Sequence, residues 1–442
     1  MQIAIIGNGI SGITAARYLR KGSDHEITVI SSETDHFFSR TALMYIYMGH
    51  MNYEHTKPYE DWFWEKNRIN LLNRYVKSVD FDQKSLLFSN GETFAYDKLI
   101  LATGSSPNKF GWPGQDLRRV QGLYSYQDLE ALQSYSDEIE TAVIVGGGLI
   151  GIELAEMLKS KGKKVIFLVR EASFWNMVLP KEESEMINQH ILEHHIDLRL
   201  ETEISEILDD GQGNVKGVKL KDESIIDCQF VGLTVGVHPN ISFLKNTKLA
   251  TEKGILVNEF LETNIPDVYA LGDCVQHQNP PPGRRPLEQI WYTGKIMGET
   301  VAKTILGDIT AYQPGVFYNS AKFLDIEYQT YGAVPAMPEE GIEDFYWQSP
   351  MEHKLVRIHF KRDTRAVTGV NTFGIRMRQE IWQNWIEKGT SVEEILSNLG
   401  KANFDPEFFK KHEQDIIEAY NQQFGASLKL KNKKTGLMAI FQ

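Results

Sequence analysis

Two glycine-rich turns have the spacing of a phosphate-binding site, with glycines at the first, third and sixth positions. They are Gly7, Gly9 and Gly12 in the first turn, and Gly146, Gly148 and Gly151 in the second. At this spacing the first glycine allows a tight bend, the second lets the backbone approach a pyrophosphate, and the third lets helix and strand pack closely. The following helix N-terminus adds N–H groups for the phosphates. Because the pattern occurs twice, we predict two dinucleotide-binding sites.

An acidic residue follows the first turn at a distance typical of a ribose contact. Glu33 ends the segment EITVISSE, about 20 residues beyond Gly12. A carboxylate at this position can accept hydrogen bonds from both hydroxyls of a nucleotide ribose. The first turn and Glu33 therefore predict one dinucleotide site.

The elements that must position these residues can be read from the apolar pattern. Apolar runs precede both turns, and Ile13, Ala16 and Leu19 share one face of the helix predicted after the first. The segments YDKLILATG and ETNIPDVYALGD are predicted to be strands that end in Gly104 and Asp273. Strands that alternate with helices predict an α/β fold. Beyond about Pro314, further strand patterns and two helical ones, at 375–389 and 391–399, predict an α+β region.

Length and composition limit the classes of protein. The 442 residues suggest about three domains. With 42% hydrophobic and 24% charged residues, we expect the chain to be folded throughout. The net charge of −12 disfavours nucleic acid and anionic membranes as partners. Because the sequence shows neither a signal-peptide pattern nor an apolar run of about 18 residues, we expect a cytoplasmic protein without a membrane span.

The order of motifs GxGxxG, ATG, GxGxxG and TNxPxxYAxGD resembles the FAD-dependent pyridine nucleotide-disulfide oxidoreductases of the glutathione-reductase fold, from Met1 to about Gly315. The rubredoxin and ferredoxin reductases, the NADH oxidases and peroxidases, and the flavin module of nitrite reductase are the most similar branches. The resemblance implies two Rossmann-like dinucleotide-binding domains and a C-terminal α+β domain. The implied boundaries are 1–118 with 244–314 for FAD, 119–243 for NAD(P), and 315–442 for an interface or acceptor docking. A homodimer is left open.

The resemblance also implies which residues hold the two cofactors. FAD would lie on the first turn and NAD(P)H on the second. Glu33 would contact the adenosine ribose, Asp273 the ribityl and pyrophosphate portion, and a helix beginning near Gln289 would direct its N-terminal N–H groups at the flavin. The implied cofactor-binding residues are Gly7, Gly9, Gly12, Glu33, Arg40, Thr103, Gly104, Gly272, Asp273, Gln289 and Ile290 for FAD, and Gly146, Gly148, Gly151, Arg170 and Gly236 for NAD(P)H.

The segment HFFSRTALMYIYMGH replaces the redox cysteines of the disulfide reductases. Those enzymes carry a C-x4-C pair here, and the oxidases and peroxidases carry one cysteine, whereas this chain has Arg40 at that place. Its two cysteines, Cys228 and Cys274, lie far along the chain and are expected to be buried hydrophobic residues. Because mixed disulfides and charge-transfer thiolates require sulfur beside the flavin, a thiol mechanism is disfavoured.

The same segment resembles the RPxLSK pattern of rubredoxin and iron–sulfur-protein reductases. Arg40 would keep that pattern's arginine against the flavin phosphate, while Thr41 replaces the proline and Tyr45 the lysine. In those relatives the lysine pairs with the glutamate that corresponds to Glu153, beside the reactive edge of the flavin. We therefore expect Glu153 and Tyr45 to be the catalytic residues, with Tyr45 able to donate a hydrogen bond. Simple packing is the alternative for Tyr45.

The choice between NADH and NADPH rests on the end of the segment KVIFLVRE. NADH-preferring relatives place a carboxylate where this chain has Val169. Arg170 could pair with a 2′-phosphate and favour NADPH, whereas Glu171 would have to turn inward to favour NADH. The sequence favours NADPH through Arg170 without excluding NADH.

The predicted activity is hydride transfer from NAD(P)H to FAD, followed by electron transfer from the flavin to an outside acceptor without a redox-active cysteine. The acceptor would be a small iron–sulfur or rubredoxin-like carrier protein, dioxygen or a quinone. The alternative is a flavoprotein redox sensor or interaction protein that does not turn over. No metal site is expected, because His190 and His194 in HILEH suggest no third ligand and are predicted to lie on a solvated helix face.

Overall fold

The described residues, 1–405 and 409–431 of a computed structural model, form two compact units. The first unit comprises Met1–Ala172 and His194–Pro314, and the second comprises Ser173–Glu193 and the described part of Gly315–Gln442. The helices of the described residues are α1 (Ile10–Gly22), α2 (Leu43–Met48), α3 (Trp62–Lys66), α4 (Tyr126–Tyr135), α5 (Leu149–Ser160), α6 (Lys181–Glu193), α7 (Trp291–Ile305), α8 (Gln379–Glu387), α9 (Val392–Ser397) and α10 (Glu413–Phe424).

The strands of the first unit form sheets of two to five members. They are β1 (Gln2–Ile6), β2 (Glu26–Ser31), β3 (Ile69–Asn73), β4 (Val76–Asp80), β5 (Ser85–Phe88), β6 (Thr93–Ala95), β7 (Lys98–Leu101), β8 (Ser105–Pro107), β9 (Val120–Gln121), β10 (Thr141–Val145), β11 (Lys164–Leu168), β12 (Asp197–Arg199), β13 (Ile204–Asp209), β14 (Val215–Leu220), β15 (Ile225–Asp227), β16 (Phe230–Leu233), β17 (Val237–Pro239), β18 (Ile255–Val257), β19 (Val268–Ala270) and β20 (Val275–His277).

Two five-stranded parallel sheets carry the glycine turns. The first has the order β19-β7-β1-β2-β3, and the second has the order β12-β11-β10-β16-β9. In each sheet the central strand, β1 or β10, runs directly into a glycine turn and then into a helix, α1 or α5. The central strands are almost continuously apolar and buried, as expected for parallel strands that are covered on both faces.

The predicted helix faces agree with the burial. Ile13, Ala16 and Leu19 of α1 are at most 1% exposed, and α1 packs along α7. Close packing of these two helices depends on Gly298, since a Cβ there would lie 2.6 Å from the carbonyl oxygen of Ser11. This pairing brings the N-terminus of α7 beside the first glycine turn.

The second unit contains one antiparallel sheet of five strands. They are β21 (Tyr318–Phe323), β22 (Ile326–Gly332), β23 (Ile342–Gln348), β24 (Leu355–Lys361) and β25 (Val367–Phe373), in the order β21-β22-β25-β24-β23. Helices α6 and α8–α10 complete the unit, and Trp382 of α8 and Tyr420 of α10 are among its largest buried side chains. This is the α+β region that the sequence predicts.

The predicted fold class, α/β with two Rossmann-like regions, is confirmed. The three-domain boundaries remain a prediction. The structure adds that Ser173–Glu193, inside the predicted NAD(P) range, belongs to the second compact unit. Within the described part of the chain, no helix combines the length and apolar character that a bilayer crossing requires.

The prediction of a solvated face for the HILEH motif is wrong at His190. Its side chain is 3% exposed, and its Nε2 lies 2.5 Å from Oδ1 of Asp325. Its ring also lies against that of His353, with centroids 4.7 Å apart. The helical spacing did not indicate that Asp325 and His353 would cover the side chain of His190.

Candidate functional site

A cavity of about 620 Å³ lies in the first unit, beside the first glycine turn. Its wall includes backbone of the first turn, the loop after β7, the loop after β19, and Ile150 and Glu153 of α5. The predicted site residues that line it are Gly7, Gly9, Glu33, Arg40, Thr103, Gly104, Glu153, Gly272, Asp273 and Gln289. One space therefore joins the first glycine turn to the helix that begins at the second.

The glycines of the first turn serve different purposes. A Cβ on Gly7 would lie 2.0 Å from the carbonyl oxygen of Ala102, and one on Gly12 would lie 2.1 Å from that of Gly7. Packing of the protein itself thus requires these two glycines. By contrast, a Cβ on Gly9 would meet nothing within 4 Å, and the backbone of Gly9 is extended, with φ −71°. Neither packing nor backbone conformation explains this glycine, whereas a group bound against the turn would.

The second turn repeats this division. A Cβ on Gly146 would lie 2.5 Å from the carbonyl oxygen of Thr234, and one on Gly151 would lie 2.4 Å from that of Gly146. Gly148 has φ −120°, and a Cβ added to it would meet nothing within 4 Å. The second turn therefore also offers an open backbone surface at its middle glycine.

Glu33 is held by an arginine and a helix N-terminus. Arg40 donates from both terminal nitrogens to the two carboxylate oxygens, at 2.7 and 2.6 Å. The backbone N–H of Tyr126, the first residue of α4, donates to the same carboxylate at 2.9 Å. Arg40 also donates to the carbonyl oxygen of Tyr124 and lies over its ring, 4.5 Å from the centroid. Glu33 and Arg40, predicted as separate cofactor contacts, are thus joined at the cavity wall.

Asp273 lies at the centre of a second polar group in the wall. Its Oδ2 accepts hydrogen bonds from Ser105 Oγ at 3.3 Å and from the Tyr124 hydroxyl at 3.5 Å. Gln289 donates to Ser105 Oγ at 2.7 Å, which links the loop before α7 to this group. Burial raises the pKa of Asp273, because its charged form loses contact with water. The same burial raises the pKa of the Tyr124 hydroxyl to about 12.

Glu153 reaches the cavity from the first turns of α5. Its carboxyl has a pKa raised to about 7, first by burial and then by the neighbouring charge of Glu156. A carboxyl with this pKa exists in both protonation states near neutral pH. Glu153 can therefore hold or release a proton at the cavity wall.

The remaining predicted FAD contacts lie on the loops around the cavity. Thr103 donates its hydroxyl to the carbonyl oxygen of Asn240 at 2.8 Å. Gly104 and Gly272 both have left-handed backbones, with φ +68° and +77°. A Cβ on Gly272 would lie 2.4 Å from Ser11 Oγ, so the left-handed backbone and the approach of Ser11 both favour glycine there. Ile290 is the N-cap residue of α7 and is not among the described residues of the cavity wall, although its neighbours on both sides are.

Tyr45 lies on α2, which packs against α5, the helix that carries Glu153. The wall residues of α2 are Leu43 and Met44, and Tyr45 is not among the described wall residues. Its ring stacks on that of His50, with centroids 6.1 Å apart. The catalytic role of Tyr45 stays a prediction.

The predicted NAD(P)H contacts surround the second turn. Gly236 has φ +89° and precedes β17, as expected for a close backbone approach. Arg170 is 70% exposed, and its Nη2 lies 2.8 Å from Oε1 of Glu171. Val169 explains why residue 147 is a glycine, because a Cβ on Gly147 would lie 2.7 Å from the Val169 side chain. The two charged residues that were predicted to compete for the nucleotide are thus paired with each other.

Both cysteines are buried in apolar cores. Cys228 and Cys274 are each 0% exposed, and neither belongs to the described wall of the cavity. Burial raises the pKa of Cys228 to about 12 and also raises the pKa of Cys274. Both sulfurs are therefore held as neutral thiols.

Several residues of the cavity wall were not predicted from the sequence. Ser105 directly follows the predicted Thr103–Gly104 loop, so extension of that motif by one residue would have found it. The capping box of α4, Ser125 with Asp128, was a readable signal for the helix whose first N–H donates to Glu33. No local pattern indicated that Tyr124 would approach Asp273, because this contact depends on tertiary packing.

Comparisons with known proteins identify relatives of the chain. It is 29% identical over 280 residues to the assimilatory nitrate reductase electron transfer subunit of Bacillus subtilis, a match that covers 62% of this chain and 36% of that protein. The chain thus spans little more than a third of that relative. It is 27% identical over 410 residues to the NADH-rubredoxin oxidoreductase of Clostridium acetobutylicum, covering 90% of this chain and 99% of that one.

A solved structure shares the fold. The NAD-dependent persulfide reductase from A. fulgidus matches with a TM-score of 0.82 at 19% identity, covering 98% of this chain and 86% of that one. The family model for pyridine nucleotide-disulphide oxidoreductases matches residues 1–296, which include both glycine turns and the cavity wall. The chain therefore belongs to the pyridine nucleotide-disulphide oxidoreductase family, whose members are NAD(P)H-dependent flavoprotein oxidoreductases that bind FAD.

Proposed function

We propose that this chain transfers electrons from NAD(P)H through FAD to an external acceptor without a redox-active cysteine. When bound, FAD would accept a hydride from the nicotinamide and release the electrons to that acceptor. The observation that carries the proposal is a cavity that joins the first glycine turn to α5, which begins at the second turn.

The residues of the cavity fit FAD. Gly9 leaves its backbone open to an approaching pyrophosphate, because a Cβ there would fill space that the protein does not use. Glu33 would accept from the adenosine ribose, and Arg40, beside it, would offset phosphate charge. Asp273 and Gln289 would hold the middle of the cofactor and the flavin end. The first turn of α7 would add N–H groups that the helix itself does not use.

The second turn would hold the nicotinamide dinucleotide. Gly148 provides the matching open backbone at the N-terminus of α5. Glu153 lies farther along the same helix and lines the cavity, so we propose that it orients the reacting rings and holds a proton there. Alignment of the two rings is what the protein contributes to hydride transfer.

The position of the cysteines supports a mechanism without a thiol. A redox-active cysteine must reach the flavin as a thiolate, and both thiols of this chain are buried outside the described cavity wall. Arg40 stands where the disulfide reductases of the family have cysteine, and it is paired with Glu33. We therefore propose direct electron transfer from the flavin.

We propose a small iron–sulfur or rubredoxin-like carrier protein as the acceptor, ahead of dioxygen or a quinone. The relative that matches over nearly its whole length is named an NADH-rubredoxin oxidoreductase, which supports a carrier of this kind. The net charge of −12 is compatible with a carrier that has a basic contact surface.

The test is steady-state oxidation of NADH and NADPH by the FAD-loaded chain with rubredoxin, a ferredoxin, dioxygen, a quinone and ferricyanide. We expect turnover with a carrier protein and with ferricyanide. A variant with Cys228→Ala and Cys274→Ser should retain both FAD and turnover. If that variant kept its FAD but lost turnover, the thiol-free mechanism would be wrong. If wild type bound FAD and NAD(P)H but reduced none of the acceptors, the protein would be a non-turnover flavoprotein instead.

A further inference from the structure

A cluster of two histidines and one glutamate lies in the second unit, outside the proposed flavin site. His190 and Glu193 stand one turn apart on α6, and His353 lies in the loop between β23 and β24. One ligand atom from each of the three lies within 4.8 Å of the other two. The sequence suggested no third ligand for the histidine of α6, because His353 is distant along the chain.

The side chains converge on one carboxylate oxygen. His353 Nε2 lies 2.9 Å from Oε2 of Glu193, and His190 Nδ1 lies 3.8 Å from the same oxygen. Gln189 donates to the other oxygen, Oε1, at 3.2 Å. The amide thus helps to orient Glu193 so that Oε2 faces both imidazoles.

The opposite nitrogen of His190 contacts a carboxylate. Its Nε2 lies 2.5 Å from Oδ1 of Asp325, and the side chain of His190 is 3% exposed. A histidine that ligates a metal usually donates its other ring N–H to a carboxylate, which fixes the tautomer and the ring orientation. With Nε2–H donated to Asp325, Nδ1 is the ring nitrogen that lies beside Glu193, 3.8 Å from Oε2.

We propose that His190, Glu193 and His353 form a binding site for a divalent transition-metal ion such as Zn²⁺, with Asp325 as the carboxylate that orients His190. Two imidazoles and one carboxylate are a known Zn²⁺ ligand set that leaves a fourth position for water. Metal–ligand distances of about 2.1 Å place tetrahedral ligand atoms roughly 3.4 Å apart. The observed separations, from 2.9 Å to at most 4.8 Å, require shifts of about an ångström, within the reach of side-chain rotation.

The chemistry of the ligands selects the class of ion. Imidazole suits Zn²⁺, Cu²⁺, Fe²⁺ and Ni²⁺, whereas Mg²⁺ and Ca²⁺ prefer sites made of oxygen ligands. A bound ion would link α6 to the loop before β24, two segments separated by a long stretch of chain. Because this link exists in the folded state alone, binding should stabilise the second unit against unfolding.

The test is calorimetric titration of Zn²⁺ into the full-length, FAD-loaded chain, expressed without a histidine tag and freed of metal by a chelator. We expect one saturable site and a rise in Tm with Zn²⁺ concentration. His353→Ala and Glu193→Ala should each weaken binding at least tenfold, and Asp325→Asn about tenfold. Mg²⁺ should neither bind nor compete. The control His195→Asn, which removes an exposed histidine that is not part of the cluster, should leave the affinity unchanged.

A pair of substitutions at His353 separates metal binding from a structural ion pair. His353→Cys should keep Zn²⁺ affinity, since a thiolate is a good zinc ligand, whereas His353→Gln should lose it although glutamine can still donate a hydrogen bond to Glu193. Both should fold, because His353 is 40% exposed. The proposal is overturned if wild type shows no saturable site, or if Zn²⁺ binds His353→Ala as tightly as wild type.

Discussion

Glu153 is a carboxyl whose protonation near neutral pH follows from its surroundings. Burial raises its pKa from 4.5 to about 7, with a further contribution from Glu156. As pH rises from about 4.5 to 7, the unfolded chain loses this proton while the folded chain keeps it. The folded state therefore loses stability through this window, and the loss is complete above pH 7.

We predict that Glu153→Gln raises Tm relative to wild type, and by more at pH 8 than at pH 4.5. Glutamine has no charge to desolvate, so the variant escapes the cost that wild type bears at high pH. Thermal unfolding at the two pH values measures the difference, with Glu130→Gln on the exposed face of α4 as the control. An equal effect at both pH values would show that the pKa of Glu153 is not raised.

The prediction about the choice between NADPH and NADH depends on Arg170 and Glu171. Their ion pair lies at the surface, with Arg170 70% exposed. Because surface ion pairs contribute little free energy, separating Arg170 from Glu171 should cost little. We predict that Arg170→Ala lowers kcat/KM for NADPH roughly tenfold, which corresponds to about 1.4 kcal/mol, and changes that for NADH less. Glu171→Ala should raise kcat/KM for NADPH, because it releases the guanidinium. If Arg170→Ala weakened both nucleotides equally, Arg170 would not read the 2′-phosphate.

At the scale of elements, the sequence predicted the strands and helices that have a clear apolar period. It predicted less well the helix ends and the segments against which each helix packs. The strand–turn–helix units around β1 and β10 follow from apolar runs and glycine spacing. Helix α4 was not predicted, and with it the donation from Tyr126 to Glu33 was missed. The orientation of α6 was also beyond the sequence, since periodicity indicates which residues share a face but not what covers that face.

A buried ion pair at the N-terminal end of α6 leads to a prediction about stability. Glu183 is 0% exposed and pairs with Arg357 of β24 at 3.0 Å, while Asn371 of β25 donates to its other oxygen at 2.8 Å. We predict that Arg357→Met destabilises the protein by about 1–3 kcal/mol at pH 8, because Glu183 must then either stay buried as a carboxylate without its cation or take up a proton. Urea unfolding measures this loss. The exposed pair of Arg362 with Glu343 is the matched control, and Arg362→Met should cost about 1 kcal/mol or less.

The pH dependence of that loss provides a second check. Burial raises the pKa of Glu183 to about 7, although Arg357 opposes this shift. Without the arginine, the carboxyl should take up a proton more readily still, and its neutral form needs no cation. The destabilisation by Arg357→Met should therefore shrink at pH 5. A loss that is unchanged at pH 5 would indicate that packing, rather than charge, explains it.

At the scale of the whole molecule, the sequence indicated two nucleotide turns because the same motif occurs twice with the same neighbours. It could not indicate that Ser173–Glu193 joins the second unit, since this depends on contacts with residues far along the chain. The contact between His353 and His190 could not be predicted from the sequence for the same reason. Repeated local chemistry is visible in a sequence, whereas the assembly of distant segments requires the folded chain.

The two turns lead to a paired prediction about the holoenzyme. Gly9 and Gly148 have extended backbones that valine can adopt. A Cβ added to either residue would have no protein atom within 4 Å. Both Gly9→Val and Gly148→Val should therefore fold, as circular dichroism would show. Gly9→Val should lose FAD, because its side chain would occupy the pyrophosphate approach, and a steric cost of about 1.4 kcal/mol already weakens binding tenfold.

Gly148→Val should behave differently, since its turn is proposed to hold NAD(P)H. We expect this variant to purify with the yellow FAD spectrum of wild type but to be reduced by NAD(P)H at a rate at least about tenfold lower at subsaturating nucleotide. Dithionite should still reduce it fully, because the flavin itself is intact. Absorbance at the flavin band and stopped-flow reduction measure the two effects. Loss of FAD from both variants, or from neither, would contradict the assignment of one cofactor to each turn.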